Sequence, residues 1–118
     1  MFESTITNYG NGYANDTGVF RAPLSGIYLF SCSVFDALGT TNHGSVKVHA
    51  EIVKNNYTLA RVFAHAEDQY RDQGAQTILV KASVGDQIWV RISDNTDLSL
   101  GGKLYTTFSG YMVWELFE

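Results

Sequence analysis

The sequence is poor in cysteine, proline and charge. Its 118 residues include one cysteine, one proline and only 17% Asp, Glu, Lys and Arg. A single cysteine cannot form a disulfide within the chain, so the fold must be stabilised by a buried core, which a domain of this length can supply. Cys32 lies in an apolar run, and we interpret it as a small buried hydrophobic residue rather than a reactive thiol.

The sequence also lacks the features of nucleic-acid-binding and membrane-spanning proteins. Its formal net charge is -4 at pH 7, which disfavours binding to a phosphate backbone. No apolar run is long enough to span a bilayer. No secretory leader is present, so a secreted protein would carry its leader outside this sequence. We therefore expect neither a nucleic-acid partner nor insertion into a membrane.

No catalytic motif is recognisable. The sequence has no Gly-x-Ser-x-Gly, no His-Glu-x-x-His and no phosphate-binding loop. Its three histidines, His43, His49 and His65, are far apart in sequence, and we interpret each as a solvated or hydrogen-bonded side chain. The alternative is a metal or catalytic site that only the fold assembles. We predict that the protein is not an enzyme.

One apolar stretch organises the pattern of the chain. After Pro23 and the turn that ends at Gly26, residues rich in Ile, Tyr, Phe and Val continue to Phe35 without a glycine or proline. This composition is typical of a β-strand. One face of the strand would carry Tyr28, Phe30, Cys32 and Val34, and the other Ile27, Leu29, Ser31, Ser33 and Phe35. Because both faces are largely apolar, the strand is predicted to lie inside a two-layer β structure.

Turn residues divide the rest of the chain into short strands with no helical period. Asn55-Asn56 and Val84-Gly85-Asp86 predict tight turns. The polar segments 67–74 and 94–102 predict long loops. The predicted strands cover residues 20–22, 26–37, 45–54, 57–64, 77–81, 87–93, 103–107 and 108–117, with a further short strand before residue 13. The pattern predicts a single domain over residues 1–118, built as an all-β sandwich or jelly roll.

Aromatic residues, an asparagine and a glycine recur at fixed spacings in the first part of the chain. The positions are Phe2, Asn8, Tyr13, Phe20, Gly26, Tyr28 and Phe30. This spacing resembles the signature of the globular head domain of complement C1q. The signature normally ends in Phe or Tyr where this sequence has Cys32, which implies a smaller side chain in the core. Segments 77–81, 85–90 and 107–112 are similar to later strands of the family, so the resemblance covers nearly the whole chain.

The resemblance implies both a fold and an assembly. The fold is a ten-stranded jelly roll related to that of tumour necrosis factor, and three copies form a compact trimer. The sequence contains seven Tyr and seven Phe, and extra aromatic surface is expected where subunits meet. Tyr57, Tyr105 and Tyr111 are candidates for the contact between subunits. The alternative for each is a place in the core of its own chain.

The resemblance also implies a function. Many relatives are extracellular recognition modules, so we expect a secreted homotrimer of innate immunity. It would act as a pattern-recognition protein that binds carbohydrate or microbial surface ligands in a lectin-like manner. The alternative is an extracellular signalling ligand that clusters a protein receptor.

The polar segment after the fifth predicted strand supplies the candidate ligand site, because loops on a rigid β scaffold usually carry binding groups. We predict that His65, Tyr70 and Arg71 contact the ligand. An aromatic face can hold a sugar ring, and arginine pairs well with the carboxylate of an acidic sugar. The alternative is a surface loop with no ligand.

The same segment supplies the candidate metal ligands. Some relatives bind calcium through loop oxygens, and Asp68 and Asp72 are the carboxylates available here. The alternative is a solvated acidic loop, since His65 stands where an acidic residue of the family is expected.

Asn15 and Asn56 begin Asn-x-Thr triplets, which are glycosylation sequons placed in predicted turns.

Overall fold

The protein is described by a computed structural model, which gives the structure of residues 8, 10, 12–14, 16–36, 46–66, 72–95, 100–101 and 106–117. These residues form nine β-strands and no helix. Within the same residues, accordingly, no helix is long and apolar enough to cross a bilayer. The predicted all-β class is confirmed.

The nine strands are numbered in chain order. Two short strands, β1 (Tyr13–Ala14) and β2 (Val19–Arg21), precede the long strand β3 (Gly26–Asp36). The others are β4 (Val46–Lys54), β5 (Tyr57–Ala66), β6 (Asp72–Ala82), β7 (Gln87–Asn95), β8 (Leu100–Gly101) and β9 (Thr107–Glu115). The segment before residue 8, where the sequence predicts a further strand, lies outside the described residues.

The strands form two antiparallel sheets around one core. The first, here called the β4 sheet, has the order β1-β2-β7-β4-β5. In the second, the β3 sheet, β3 pairs with β6 along one edge and with β8 and β9 along the other. Neighbouring strands such as β2 and β7, or β3 and β9, are far apart in sequence, which is the connectivity of a jelly roll.

The core lies between the two sheets and follows the alternation of β3. Along β3 the side chains alternate between buried and half-buried from Gly26 to Asp36. The buried apolar set, with contributions from both sheets, is Ala22, Tyr28, Phe30, Cys32, Val34, Val48, Ala50, Ile52, Val62, Ala64, Ala82 and Ile88. Tyr28, Phe30, Cys32 and Val34, which the sequence predicted to share one face of β3, form its buried face. Burial of Cys32 raises the pKa of its thiol to about 11, which keeps it protonated and unreactive.

Stacked aromatic rings fill the middle of this core. Tyr28 and Phe30 stack with ring centroids 5.9 Å apart, and Phe30 and Phe108 stack at 5.8 Å. Phe20 meets Phe30 edge-on at 5.3 Å. The Tyr28 hydroxyl donates a hydrogen bond of 2.6 Å to the carbonyl of Leu24, so its polar end is satisfied at the rim of the core. These rings join β2, β3 and β9 through side-chain contacts.

Several predicted strand limits are wrong, because hydrogen bonding to a neighbouring strand extends a strand beyond the limits that its local sequence predicts. The sequence predicted a loop over residues 67–74 and a strand that begins at residue 77. In the structure β6 begins at Asp72. It pairs with β3 over its whole length, from Asp36↔Asp72 to Gly26↔Ala82. The loop predicted at 94–102 likewise loses Asp94 and Asn95 to β7 and contains β8. Backbone ladders recruit polar residues that local propensity assigns to loops. Of the strand predicted at 103–107, residues 103–105 lie outside the described residues and Thr107 begins β9.

The predicted turn between β4 and β5 is confirmed. Asn55 and Asn56 have φ of 49° and 74°, as a two-residue hairpin turn requires. The Asn55 side chain accepts a 2.9 Å hydrogen bond from Gln87 N–H and donates one of 3.0 Å to Asp86. Asp86 also accepts a 2.8 Å bond from Ser83 N–H, and these two hydrogen bonds lower the pKa of its carboxyl despite partial desolvation. The hairpin tip is thus tied to the β6–β7 turn.

The edges of the two sheets approach each other closely at Gly74. A Cβ added to Gly74 of β6 would overlap the backbone carbonyl of Phe63 on β5. Next to this contact, the N–H of His65 donates a 2.9 Å hydrogen bond to Oδ2 of Asp72. Glycine at this position therefore permits β5 and β6 to close one side of the sandwich.

We expect Gly74→Ala to lower the free energy of unfolding by about 1–3 kcal/mol, because backbone rather than a flexible side chain must move to admit the methyl group. In open space the same change would stabilise a strand. Urea denaturation measures the difference. Ala75→Ser, at the next and exposed position of β6, should change stability by less than about 0.5 kcal/mol. A Gly74→Ala protein as stable as the parent would contradict the close approach.

Candidate functional site

The outward side of the β3 sheet carries a contiguous apolar surface. Leu29 lies in register between Leu79 of β6 and Tyr111 of β9. Leu79 is 65% exposed and Tyr111 is 61% exposed. In the adjacent row, Ile27 lies beside Trp114, whose exposed fraction is 69%. We call Ile27, Leu29, Leu79, Tyr111, Val113 and Trp114 the apolar face.

The apolar face is a consequence of the strand pattern. Outward positions of β3 alternate with core positions, and a register shift between Ile27 and Tyr28 inserts Val113 as an extra residue on β9. Farther along β3 the same surface becomes polar, since Ser31 and Thr77 hydroxyls lie 3.1 Å apart in a hydrogen bond. A contiguous exposed apolar surface of this kind marks a place where another molecule packs.

The outward side of the β4 sheet has a different chemistry. On β5 it presents Arg61, Phe63 and His65, and on β4 the residues directly opposite Arg61 and Phe63 are Glu51 and His49. The His49 and Phe63 rings lie 4.5 Å apart, and those of Phe63 and His65 lie 6.1 Å apart. We call the set His49, Glu51, Arg61, Phe63, His65 and Arg91 the cationic strip.

Glu51 organises the centre of the cationic strip. Its Oε1 accepts a 3.1 Å bond from Nε of Arg91, while Oε2 lies 3.3 Å from Nε of Arg61 and accepts a 3.1 Å bond from the Thr58 hydroxyl. Desolvation raises the pKa of the Glu51 carboxyl, but the hydrogen bonds from Arg91 and Thr58 and the charges of both arginines outweigh it, so the net pKa is lowered. The sequence placed Glu51 on the outward face, and it lies there, covered by its partners.

The predicted ligand and metal residues are only partly described. His65 is exposed at the end of β5, two residues from Phe63 on the same face. Asp72 begins β6 and its carboxylate accepts the hydrogen bond from the N–H of His65. Tyr70, Arg71 and Asp68 lie outside the described residues. The structure therefore brings together one predicted ligand residue and one predicted metal residue.

The described residues offer no complete metal site. Within them, no group of three or more His, Cys, Asp or Glu side chains could hold a metal ion. Asp72 alone does not supply the several oxygens that calcium takes. Calcium binding through Asp68 and Asp72 therefore stays a prediction from the sequence.

Several surface residues were not singled out from the sequence. Phe63 alternates with the buried Val62 and Ala64, which is a readable sign of an outward aromatic side chain. Leu79 is exposed in the same way on β6. No sequence signal placed His49 beside Phe63, because that contact depends on the register between β4 and β5.

Three tyrosines were predicted at a subunit contact. Tyr111 lies on the apolar face, Tyr57 lies at the start of β5 in the other sheet, and Tyr105 is outside the described residues.

The chain is similar in sequence to known proteins over nearly its whole length. Residues 1–113 match the family described as the C1q domain. The chain is 28% identical over 116 residues to complement C1q tumor necrosis factor-related protein 3 of Mus musculus, and equally to that of Homo sapiens. These matches cover 98% of this chain and 44% of each relative, so the chain spans less than half the length of these relatives.

Solved structures agree with the fold. The globular domain of zebrafish complement 1qA protein matches with a TM-score of 0.72 and 13% identity, covering 98% of this chain and 83% of that one. Murine APRIL matches with a TM-score of 0.65 and 19% identity, covering 94% and 82%. Eiger TNF from S. frugiperda matches with a TM-score of 0.59 and 15% identity, covering 90% and 68%. At these identities the likeness concerns the jelly-roll fold alone.

We expect Glu51→Gln to lower the melting temperature near neutral pH, because the two arginines lose their shared carboxylate. The folded pKa is lowered, so the contribution of Glu51 is present above the ordinary glutamate pKa of about 4.3 and is lost as the pH falls through the folded value. Thermal unfolding of the parent protein and of Glu51→Gln, measured from neutral pH down into acid, should show that the two melting temperatures converge as the pH falls.

The control for this experiment is Asp16→Asn. Asp16 is an exposed carboxylate in the turn between β1 and β2. Its variant should show no comparable loss of melting temperature near neutral pH. A pH-independent difference between Glu51→Gln and the parent would mean that the lowered pKa of Glu51 does not contribute to stability.

Proposed function

Because the chain belongs to the C1q domain family, we propose that it is a secreted homotrimeric recognition module of innate immunity that binds carbohydrate or other microbial surface ligands. The family comprises non-enzymatic recognition or signalling domains. Such domains form homotrimers and bind receptors or other ligands. The observation that carries the proposal is that two opposite faces of the sandwich are exposed and differ in chemistry.

The apolar face is the surface proposed for assembly. Tyr111 and Trp114 expose large rings beside Leu79, and rings of this kind are enriched where subunits pack. The hydroxyls of Ser31 and Thr77 extend the same surface with polar groups that are already paired to each other. Packing of three such faces about one axis would remove the exposed rings from water and would leave the β4 sheet outside.

The cationic strip is the surface proposed for recognition. It lies on the opposite sheet, so self-assembly through the apolar face would leave it accessible in every copy. Three identical strips on one particle would raise the avidity for a repetitive surface well above the affinity of one strip. His65 remains a proposed ligand contact on this surface, and Tyr70 and Arg71 are proposed to extend it.

The second candidate function is a signalling ligand that clusters a protein receptor. The similarity to complement C1q tumor necrosis factor-related protein 3 favours it. It uses the same trimer, so the two candidates differ in the class of molecule that is bound. A pull-down with receptor ectodomains separates them from binding to polysaccharides.

We expect the purified protein to have the mass of three chains in light scattering after size exclusion. Leu79→Lys should give the mass of one chain, because three buried ammonium groups would be placed without partners in the apolar contact. Val84→Lys is the matched control, since Val84 is 66% exposed but lies in the turn before β7 rather than on a strand of the apolar face. If Leu79→Lys stayed trimeric, assembly would have to use another surface.

We expect the trimer to bind a defined class of sugars on an array of glycans and microbial polysaccharides. The array is run with calcium and again with a chelator. Loss of binding with chelator would support calcium binding at Asp68 and Asp72, and unchanged binding would count against a calcium ion that takes part in recognition. A blank array from a well-formed trimer, together with capture of a receptor ectodomain, would replace the recognition function with the signalling one.

A further inference from the structure

An exposed aromatic ring and an exposed guanidinium lie side by side on the cationic strip. Phe63 is 47% exposed, and the Arg61 side chain is 74% exposed. The two residues are two positions apart on the same face of β5, so their Cα atoms are about 7 Å apart. A ligand that used both would need an apolar surface and an anionic group at about this separation.

The Phe63 ring is held in place from two sides. The His49 ring lies 4.5 Å away at an interplanar angle of 46°, and the His65 ring lies 6.1 Å away at 31°. The backbone of Phe63 is fixed by its contact with Gly74 on the neighbouring sheet. An aromatic ring that is already positioned loses little conformational freedom when a ligand packs on it.

Positive charge on this surface is concentrated around Glu51. Arg61 and Arg91 share the single carboxylate of Glu51, whose two oxygens are both engaged, so two cations meet one anion. Farther along the strip, Lys47 and the acidic Asp94 of β7 carry opposite charges. An anionic ligand is therefore favoured at the two arginines, which outnumber their shared carboxylate, rather than over the whole surface.

The exposed guanidinium of Arg61 suits an anionic group better than the His65 end of the strip does. Asp72 accepts the hydrogen bond from the N–H of His65, which puts negative charge at the His65 end of the strip. An anionic group would therefore avoid that end. Arg61 lies at the other side of Phe63, and its planar guanidinium suits carboxylate or sulfate groups.

We propose that the cationic strip binds an acidic saccharide, with the apolar face of a sugar ring stacked on Phe63 and its carboxylate or sulfate bound by Arg61. The proposal rests on the recognition function above and specifies its ligand and its site. One ring and one guanidinium match a single sugar unit, whereas a specific protein interface takes about 800 Å² from each partner. The shared chemistry is an anionic sugar, whether it comes from a polysaccharide or from a glycosylated surface.

The test measures binding of the trimer to polygalacturonate and to a sulfated polysaccharide, with neutral dextran as the comparison. Phe63→Ala and Arg61→Gln should each weaken binding to an acidic polymer about tenfold or more. Arg61→Lys, which keeps the charge, should bind more tightly than Arg61→Gln. Raising the salt concentration should weaken binding of the parent protein.

Matched variants separate the site from general effects on folding. Phe63→Tyr keeps the ring, and Tyr57→Ala removes a 77% exposed ring from the start of the same strand, so both should bind within about twofold of the parent. Phe63→Leu removes the ring but keeps an apolar side chain of similar volume. This variant is used instead of Phe63→Ala if Phe63→Ala does not fold. Each variant is compared at equal trimer mass and melting temperature.

The outcomes distinguish the proposal from the function on which it rests. Binding to neutral sugars alone would overturn the acidic ligand while the recognition function stood. Binding to acidic polymers that Phe63→Leu and Arg61→Gln left unchanged would overturn the cationic strip as the site. Capture of a receptor ectodomain with no saccharide binding would overturn both.

Discussion

Strand β3 is the element on which the rest of the structure depends. It pairs with β6 on one edge and with β8 and β9 on the other, and its buried side supplies Tyr28 and Phe30 to the central ring stack. Its other side supplies Ile27 and Leu29 to the apolar face. One strand thus contributes to the core of the chain and to the surface proposed for assembly. Each of these roles requires apolar side chains at alternate positions, which explains why the strand is apolar on both faces.

The two outward faces have different physical properties. The apolar face exposes rings and aliphatic groups whose burial would stabilise an assembly. The cationic strip keeps its charges hydrated, except at Glu51, where two arginines offset the desolvation of one carboxylate. Because the faces belong to opposite sheets, packing through one does not require any change in the other.

Local patterns were sufficient for much of the fold. The alternation from Ile27 to Val34 predicted which residues of β3 share a face, and Asn55-Asn56 predicted a turn whose positive φ values the structure confirms. The family's aromatic spacing predicted the jelly roll. What could not be predicted depends on pairing between distant strands. β6 begins at Asp72 because β3 offers it a continuous ladder, a fact that the polar residues at its start conceal.

The candidate site was less predictable than the fold for the same reason. His65 and Asp72 were chosen from the chemistry of one polar segment, and the structure adds Phe63 and His49, which become neighbours only through the register of β4 and β5. Arg61 and Arg91 meet at Glu51 although thirty residues separate them in sequence. A surface assembled across three strands leaves no contiguous motif in the sequence.

The closure at Gly74 has a consequence for solubility. β5 is the last strand of its sheet, and the unpaired backbone groups of such a strand can recruit a strand from another molecule and start aggregation. Here the Phe63 carbonyl is covered by Gly74, and the His65 N–H is capped by the Asp72 carboxylate. Part of the strand edge is thereby blocked to foreign strands. Growth through a sheet edge would have no natural end, so this blockage would favour the closed assembly proposed for the apolar face.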